Sequence, residues 1–202
     1  MMIKKILFAI SFIFVLFAEE LHSQVLVVDN GVSLSWSNNS SKPGIDYTGA
    51  IGMDYFEKEH FMFSSRLGYI RKGENVRMLI PVENRLKVKL DYLNFSTVAR
   101  LKQPVFNGNF FIGIGPYLDF RLNSEYEIVG SVSENEERKS EYISKKIIAG
   151  FLVETGYFYD ITDWRFGLNV RYGSNITKIL PESREGLISH SLLLLLNIGY
   201  VF

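Results

Sequence analysis

The stretch Asp163–Gly173, which reads DWRFGLNVRYG, decides the fold class, because its side chains alternate in character from one residue to the next. One face is apolar and largely aromatic, and comprises Trp164, Phe166, Leu168, Val170 and Tyr172. The other face is small or polar, and comprises Arg165, Gly167, Asn169, Arg171 and Gly173. A period of two predicts a β-strand with a different environment on each side.

The same alternation recurs along the chain and predicts eight strands, near 28–37, 45–56, 61–72, 87–101, 109–122, 146–159, 163–175 and 188–202. Most of these are long enough to cross a membrane at a tilt. The connections tend to alternate between short (57–60, 102–108, 160–162) and long (73–85, 123–145, 176–187), with 38–44 as a short exception. This pattern is expected of an antiparallel transmembrane barrel with short periplasmic turns and long outer loops.

Three segments depart from the plain alternation of a strand. The segment 86–101 changes phase near Asp91–Leu93, which predicts a β-bulge and leaves the faces of that strand unassigned. The segments Asp29–Gly31 and Asp160–Asp163 are interpreted as turns, because a calcium loop needs more oxygen ligands than they offer.

The first residues predict a cleavable secretory signal peptide over 1–23, followed by one barrel domain over 24–202. Two lysines in Met1–Lys5 precede the apolar run Ile6–Ala18, and a polar exit follows with cleavage expected after Ser23. The apolar run is shorter than the roughly 20 residues of a spanning helix. Export through a signal peptide, together with the predicted transmembrane barrel, makes the bacterial outer membrane the expected location.

Alternation alone also fits a soluble lipocalin-like barrel, in which the apolar face points inward. The polar face favours lipid outside, because small residues and ions of both signs suit the narrow lumen of an eight-stranded barrel. Aromatic residues near strand ends are typical of membrane girdles. The predicted lumen cluster comprises Asp54, Arg66, Asp119, Arg121, Glu154, Arg165 and Arg171.

The last strand ends with Tyr200 and Phe202 on its apolar face. This ending resembles the C-terminal signal read by the outer-membrane assembly machinery, which is therefore an expected partner during biogenesis. Outer-membrane lipid and lipopolysaccharide are the other expected partners, and the barrel is expected to be a monomer.

Composition excludes several chemistries. The chain has 22 basic and 22 acidic residues, no cysteine and three histidines, so it predicts no nucleic-acid partner, no metal site and no cofactor. The pair His190-Ser191 is the one candidate for catalysis on lipid. Strand parity makes the two side chains diverge, and no acid is placed to orient the histidine, so catalysis is not expected.

Several segments resemble the PorT-type outer-membrane β-barrel proteins of Bacteroidetes. The matching pieces, in order, are Gly49–Phe56 continuing into Phe61–Gly73, then Leu90–Ala99, Gly113–Tyr117 and Leu168–Ile176. The chain departs from the family pattern at Asp91–Ser96. The family has a Glu and a Pro in this segment, which are either replaced by Asn94 and Ser96 or absent from this chain. The resemblance implies a barrel fold and an outer-membrane location, and its founding member is tied to a secretion system.

The resulting functional hypothesis is a porin-like barrel that is not an enzyme and has a structural or interaction role through its extracellular loops. A narrow solute channel or an accessory of a secretion system is the first alternative, and a lipid-modifying enzyme is the second. The lumen ions could line a conduit, but eight strands leave little room, so a packed plug is favoured.

Overall fold

The computed structural model describes residues 24–37, 40–77, 85–129, 146–177 and 188–202. Its strands are β1 (Val25–Ser37), β2 (Ser40–Tyr55), β3 (Phe61–Arg77), β4 (Arg85–Val105), β5 (Gly108–Val129), β6 (Ile147–Ile161), β7 (Trp164–Asn175) and β8 (Ser189–Val201). Each strand pairs antiparallel with its neighbours in the chain, and β8 closes the barrel against β1. The predicted eight-stranded antiparallel barrel is confirmed.

The predicted signal peptide lies outside the described residues and stays a prediction. Among the residues that the structure describes, no helix has the length and apolar character needed to cross a membrane.

The two faces of the wall follow the sequence alternation. On β7, Phe166 and Leu168 point outward and are nearly half exposed, whereas Arg165 and Arg171 point inward and are buried. On β8, Leu194 and its outward neighbours likewise form an exposed apolar surface. Leucine and phenylalanine exposed all round a closed barrel indicate an apolar solvent outside it.

The barrel has two different ends. At the turn end, three short turns connect the strands, around Phe56–His60, Phe106–Asn107 and Thr162–Asp163. At the loop end, the strands run further than predicted, since β3 reaches Arg77 and β5 reaches Val129. The outer connections were therefore predicted too long: residues 73–77 of the predicted connection 73–85 belong to β3, and residues 123–129 of the predicted connection 123–145 belong to β5.

The predicted bulge near Asp91 is present, but the extra residue lies on the partner strand. Asp91 pairs with Asn123 and Tyr92 pairs with Arg121, so Leu122 of β5 has no counterpart on β4. On β4 itself the alternation is unbroken, with Leu90 and Tyr92 buried inside. Asp91 faces outward, and the apparent change of phase arises because the apolar side chains lie inward at Leu90 and Tyr92 but outward at Leu93 and Phe95.

The interpretation of Asp29–Gly31 as a turn is wrong, because these residues lie in the middle of β1. Asp29 is a lumen residue, and Gly31 lies so close to β8 that an added Cβ would meet the carbonyl oxygen of Leu194 at 1.9 Å. The glycine is required by this close approach of two strands rather than by a turn.

Aromatic side chains mark two levels on the outer wall. On β8, His190 near the loop end and Tyr200 near the turn end are ten residues apart on the same face. Ten residues of a strand span roughly 33 Å, or about 25 Å along an axis tilted by about 40°. That height matches the apolar band of a transmembrane barrel, about 25 Å.

Candidate functional site

The lumen is the candidate site, because it concentrates the buried ions of the described chain. At its centre, the carboxylate of Asp54 accepts from Arg66 Nη2 at 2.7 Å and from Arg100 Nη1 at 3.3 Å. Arg165 approaches the other oxygen of Asp54 to 3.6 Å. Asp29 accepts from Arg66 Nε at 3.0 Å. Arg66 thus joins β1, β2 and β3, and Asp54 is shared among three guanidinium groups.

A second junction forms around Glu154 on β6. Its carboxylate accepts from Arg100 Nε at 2.5 Å, from Arg171 Nε at 2.9 Å and from Asn169 at 3.3 Å. Glu154 pairs directly across the sheet with Arg171 on β7 and with Gly113 on β5. Gly113 has no side chain, which leaves room for Arg100 to reach the carboxylate.

The turn end of the lumen is closed by a smaller cluster. Arg165 donates to Asp160 at 2.7 Å and to Glu57 at 3.0 Å, and Lys102 donates to Glu57 at 2.5 Å. The guanidinium of Arg165 also lies 4.0 Å from the ring centroid of Phe158. A cation over an aromatic face is stabilised by the ring quadrupole, which fixes the arginine in the barrel mouth.

The loop-end half of the lumen contains a buried lysine. Lys72 Nζ donates to Asp119 at 2.7 Å, and Asn94 donates to the other oxygen of Asp119 at 2.6 Å. The ammonium lies 5.5 Å from the ring of Tyr92 and 5.4 Å from that of Tyr117. The ion pair is therefore held between aromatic walls.

Positive and negative charges match in number within these clusters. The paired basic side chains are six, and so are the acidic ones. The basic set is Arg66, Lys72, Arg100, Lys102, Arg165 and Arg171, and the acidic set is Asp29, Asp54, Glu57, Asp119, Glu154 and Asp160. A neutral set of paired ions satisfies the condition under which buried charge is tolerated.

Small cavities lie between the described lumen side chains, and two of them are informative. One, of about 30 Å³, is lined by Lys72, Arg171, Tyr117 and several apolar residues. The other, of about 10 Å³, is lined by Lys72, Tyr92 and Asn175 among others. A water molecule needs about 10–15 Å³ by this measure, so the cavities have room for roughly two waters and one water.

The predicted cluster is brought together in part. The structure places Asp54, Arg66, Glu154, Arg165 and Arg171 in one connected network, with Asp119 in the separate Lys72 pair. Arg121 lies further toward the loop end, partly exposed beside the bulge.

Sequence reasoning missed six members of the clusters, namely Asp29, Glu57, Lys72, Arg100, Lys102 and Asp160. Asp29 begins an Asp-Asn-Gly sequence that is typical of a turn, and Arg100 lies on β4, whose sequence alternation changes phase. Lys72 follows Gly68 by four residues on the same face, so parity alone could have identified it.

A further polar cluster lies on the outside of the wall near the loop end. Asp91 accepts from Tyr69 at 2.6 Å, from Arg71 at 2.6 Å and 3.2 Å, and from Asn123. Toward the turn end the outward neighbours are Leu67, Leu93 and other apolar residues. The cluster therefore marks the loop-end edge of the apolar surface.

The candidate catalytic pair diverges as parity predicts. Ser191 is buried in the lumen, whereas His190 faces outward, with Nδ1 2.8 Å from the hydroxyl of Tyr172 and the ring stacked near Trp36 at 5.8 Å. The C-terminal aromatics also face outward, with Tyr200 edge-on to Trp164 at 5.4 Å. Within the described ranges, no group of three His, Cys, Asp or Glu side chains is arranged to hold a metal ion.

An apolar exterior between aromatic levels, together with a polar lumen filled by paired ions, defines the class of small outer-membrane β-barrels. The chain belongs to the outer membrane protein beta-barrel domain family, whose model matches residues 24–180. Membership and fold together support an outer-membrane location. By the topology of such barrels, the turn end faces the periplasm and the loop end faces the exterior.

Solved structures share the fold at low sequence identity. The outer membrane protein OprG from Pseudomonas aeruginosa is 12% identical, with a TM-score of 0.58 over 90% of this chain and 97% of that chain. The outer membrane protein AlkL, solved in lipid bilayers, is 16% identical, with a TM-score of 0.52 over 90% of this chain and 91% of that chain. At these identities the likeness shows the fold alone.

One curated protein also matches in sequence. It is a urease accessory protein UreD from Acetivibrio thermocellus, 23% identical over 124 residues, which cover 58% of this chain and 47% of that protein. The chain spans about half the length of this relative, and the match supports no functional conclusion here.

Proposed function

We propose that the protein is an outer-membrane barrel closed by its own lumen side chains, with a structural or interaction role at its extracellular end. One observation carries the proposal: the lumen is filled by a neutral network in which each described ion of the clusters has a partner of opposite charge. Neither catalysis nor steady solute conduction is required of such a barrel.

The network favours a plug over a conduit for a physical reason. A conducting pore needs a continuous wet path, whereas Asp54, Arg66 and Glu154 are almost fully buried near the middle of the lumen. Opening a path would separate ion pairs in a low-dielectric interior, at a cost of several kcal/mol for each uncompensated charge. The two cavities described above have room for only a few water molecules.

The extracellular end supplies a surface for interaction. The outward polar cluster at Asp91 marks the edge of the apolar wall, yet β4 continues six residues further, to Arg85. At about 3.3 Å per residue and a tilt of about 40°, this projection is roughly 15 Å high. β3 and β5 pair with it on either side, so a three-stranded wall stands above the lipid.

The proposed partners follow from the same surfaces. Outer-membrane lipid and lipopolysaccharide would surround the apolar belt. The outward Tyr200 and Phe202 at the turn end would be read by the assembly machinery. We also propose, on the sequence resemblance, that the protein belongs to the PorT-type group. An accessory role in a secretion system is the alternative function that this membership would imply. A lipid-modifying activity is disfavoured by the divergence of His190 and Ser191.

Conductance in a planar bilayer tests the closed lumen directly. The refolded protein, inserted at 1 M KCl, is expected to give no steady current above the bare bilayer. High salt does not weaken this test, because buried ion pairs are screened far less than exposed ones. Reproducible current steps of constant size from the wild-type protein would refute the plug and make the narrow channel the leading function.

A further inference from the structure

The barrel wall begins directly after Gln24. The next residue, Val25, opens β1, is fully buried and pairs both with Asp54 of β2 and with Val201 of β8. The carbonyl oxygen of Gln24 accepts a hydrogen bond from the backbone N–H of Phe202 at 3.1 Å. Gln24 therefore takes part in the contact that joins the two ends of the sheet and closes the barrel.

The side chain of Gln24 lies on the outside of the wall, at the turn-end aromatic level. Leu26, two residues further along the strand, points outward, is 48% exposed and pairs with Tyr200. Because side chains two residues apart share one face of a strand, Gln24 also points away from the lumen. It is partly exposed, and its amide has no hydrogen-bond partner within the described chain. The amide is therefore available to its own backbone.

A glutamine at this position is informative because glutamine is rare in the chain, which contains two, Gln24 and Gln103. Cleavage of the predicted signal peptide after Ser23 would make Gln24 the first residue of the mature protein. The fold sets a limit on the other side. A cut one residue later would remove the acceptor of the Phe202 N–H, which closes the barrel.

An N-terminal glutamine carries both partners of an intramolecular condensation. The α-amino nitrogen attacks Cδ of the side chain, the bond between Cδ and Nε2 breaks, and Nε2 leaves as ammonia with one proton from the amine. The product is a five-membered lactam, pyroglutamate, and the step needs no oxidant, reductant or co-reactant. The lactam is neutral, whereas a free α-amino group is largely protonated at neutral pH.

The lactam fits the position of Gln24 at the barrel rim. Ring closure uses only the α-nitrogen and the side chain, so the carbonyl oxygen still accepts from Phe202. The neutral ring would lie beside the outward Tyr200 and Phe202, at the level that amphipathic rings favour. A free N-terminus there would instead be a starting point for trimming by exopeptidases. Loss of Gln24 would leave the Phe202 N–H without its acceptor and expose the end of β1.

We propose that Gln24 is a modification site: after signal-peptide cleavage it cyclises to pyroglutamate, and the lactam caps β1 against aminopeptidases. The proposal rests on the predicted cleavage after Ser23 and on the place of Gln24 in the closed wall. It does not depend on whether the lumen is a plug or a conduit. Its failure is therefore distinct from failure of the proposed function, which the conductance measurement decides.

Mass spectrometry of the N-terminal peptide tests the modification on the full chain, exported with its own signal peptide and purified from the outer membrane. Proteolysis before Asp29 releases Gln24–Val28, which should be lighter by one ammonia than its sequence requires. An isotope-labelled peptide of the same sequence, added before digestion, should keep its ammonia. The proposal is overturned by a Gln24 peptide of full mass, by a different first residue, or by equal loss of ammonia from the labelled peptide, since handling would then account for the loss.

Gln24→Asn is the matched variant. Asparagine keeps the amide, but its side chain is one methylene shorter and closure would require a strained four-membered ring. The N-terminal peptide of this variant should therefore keep its full mass. Gln103→Asn changes the other glutamine, which lies within β4, and should leave the loss of ammonia from the N-terminal peptide unchanged.

Digestion of the folded barrel with a broad-specificity aminopeptidase tests the cap, after heat-modified gel mobility has shown that each protein is folded. The wild-type protein should retain residue 24, whereas Gln24→Asn should lose it. Pretreatment with a pyroglutamyl peptidase should abolish the resistance of the wild type. Trimming of both proteins to the same extent would overturn the capping role. Resistance of both would overturn it as well, because the closed strand rather than the lactam would then protect the N-terminus.

Discussion

Replacing Glu154 by Gln tests how strongly the ion network stabilises the barrel. The carboxylate is fully buried and accepts from Arg100, Arg171 and Asn169. Glutamine keeps the size but removes the charge, so Arg171 loses its carboxylate partner, while Arg100 keeps only the longer contact of 3.3 Å to Asp54. Breaking a buried pair by removing one partner costs about 3–5 kcal/mol, since the other charge stays buried.

Urea unfolding of the barrel in lipid vesicles measures this cost. With a slope of about 2–3 kcal/mol per molar, the midpoint should fall by roughly 1–2.5 M for Glu154→Gln. Glu59→Gln is the matched control, because this glutamate is exposed in a turn and its contact with His60 is exposed too, so the midpoint should not move. The double variant Glu154→Gln/Arg171→Gln should recover part of the loss by restoring neutrality. A Glu154→Gln midpoint equal to that of the control would refute the reasoning.

Three further changes test other parts of the structure. Leu196→Arg places a charge on the outward apolar wall and should lower the free energy of unfolding by about 2–4 kcal/mol in the same measurement. No loss of stability would show that the outer face is not in lipid. Gly150→Ala puts a Cβ 2.4 Å from the backbone carbonyl oxygen of Ser174 and 2.5 Å from the ring of Tyr117, so the folded, heat-modifiable band should weaken; an unchanged band would contradict this close approach of β6 and β7. His190→Ala and Ser191→Ala should leave the lipid A mass spectrum unchanged, and loss of a modification would restore the enzyme hypothesis.

The faces of the wall could be predicted from the sequence because alternation is a local property. On β7, for example, the residue type at each position already separates Trp164 and Phe166 from Arg165 and Gly167. No long-range information is needed to see that the two sides of such a strand differ. The same holds for the predicted lumen residues Asp119 of β5 and Glu154 of β6, which are buried, and for the predicted outward Tyr200 of β8, which is exposed.

The partners of the lumen ions could not be predicted in the same way. Arg66 bonds Asp54 on the neighbouring strand and Asp29 on the next strand, and both contacts depend on the stagger of the closed sheet. The inward position of Arg100 could not be predicted because the apolar side chains of β4 change from the inward face, at Leu90 and Tyr92, to the outward face, at Leu93 and Phe95. The lengths of β3 to β5 were underestimated, since apolar alternation stops at the lipid edge while hydrogen bonding continues above it.

The most direct test of the central claim is the heat-modified gel mobility of the protein recovered from the outer-membrane fraction. With apolar side chains facing lipid, the protein should fractionate with the outer membrane and migrate differently before and after boiling. A protein that stays soluble in the periplasm and shows no mobility shift would contradict the claim, and its exposed leucines would then need a cover other than lipid.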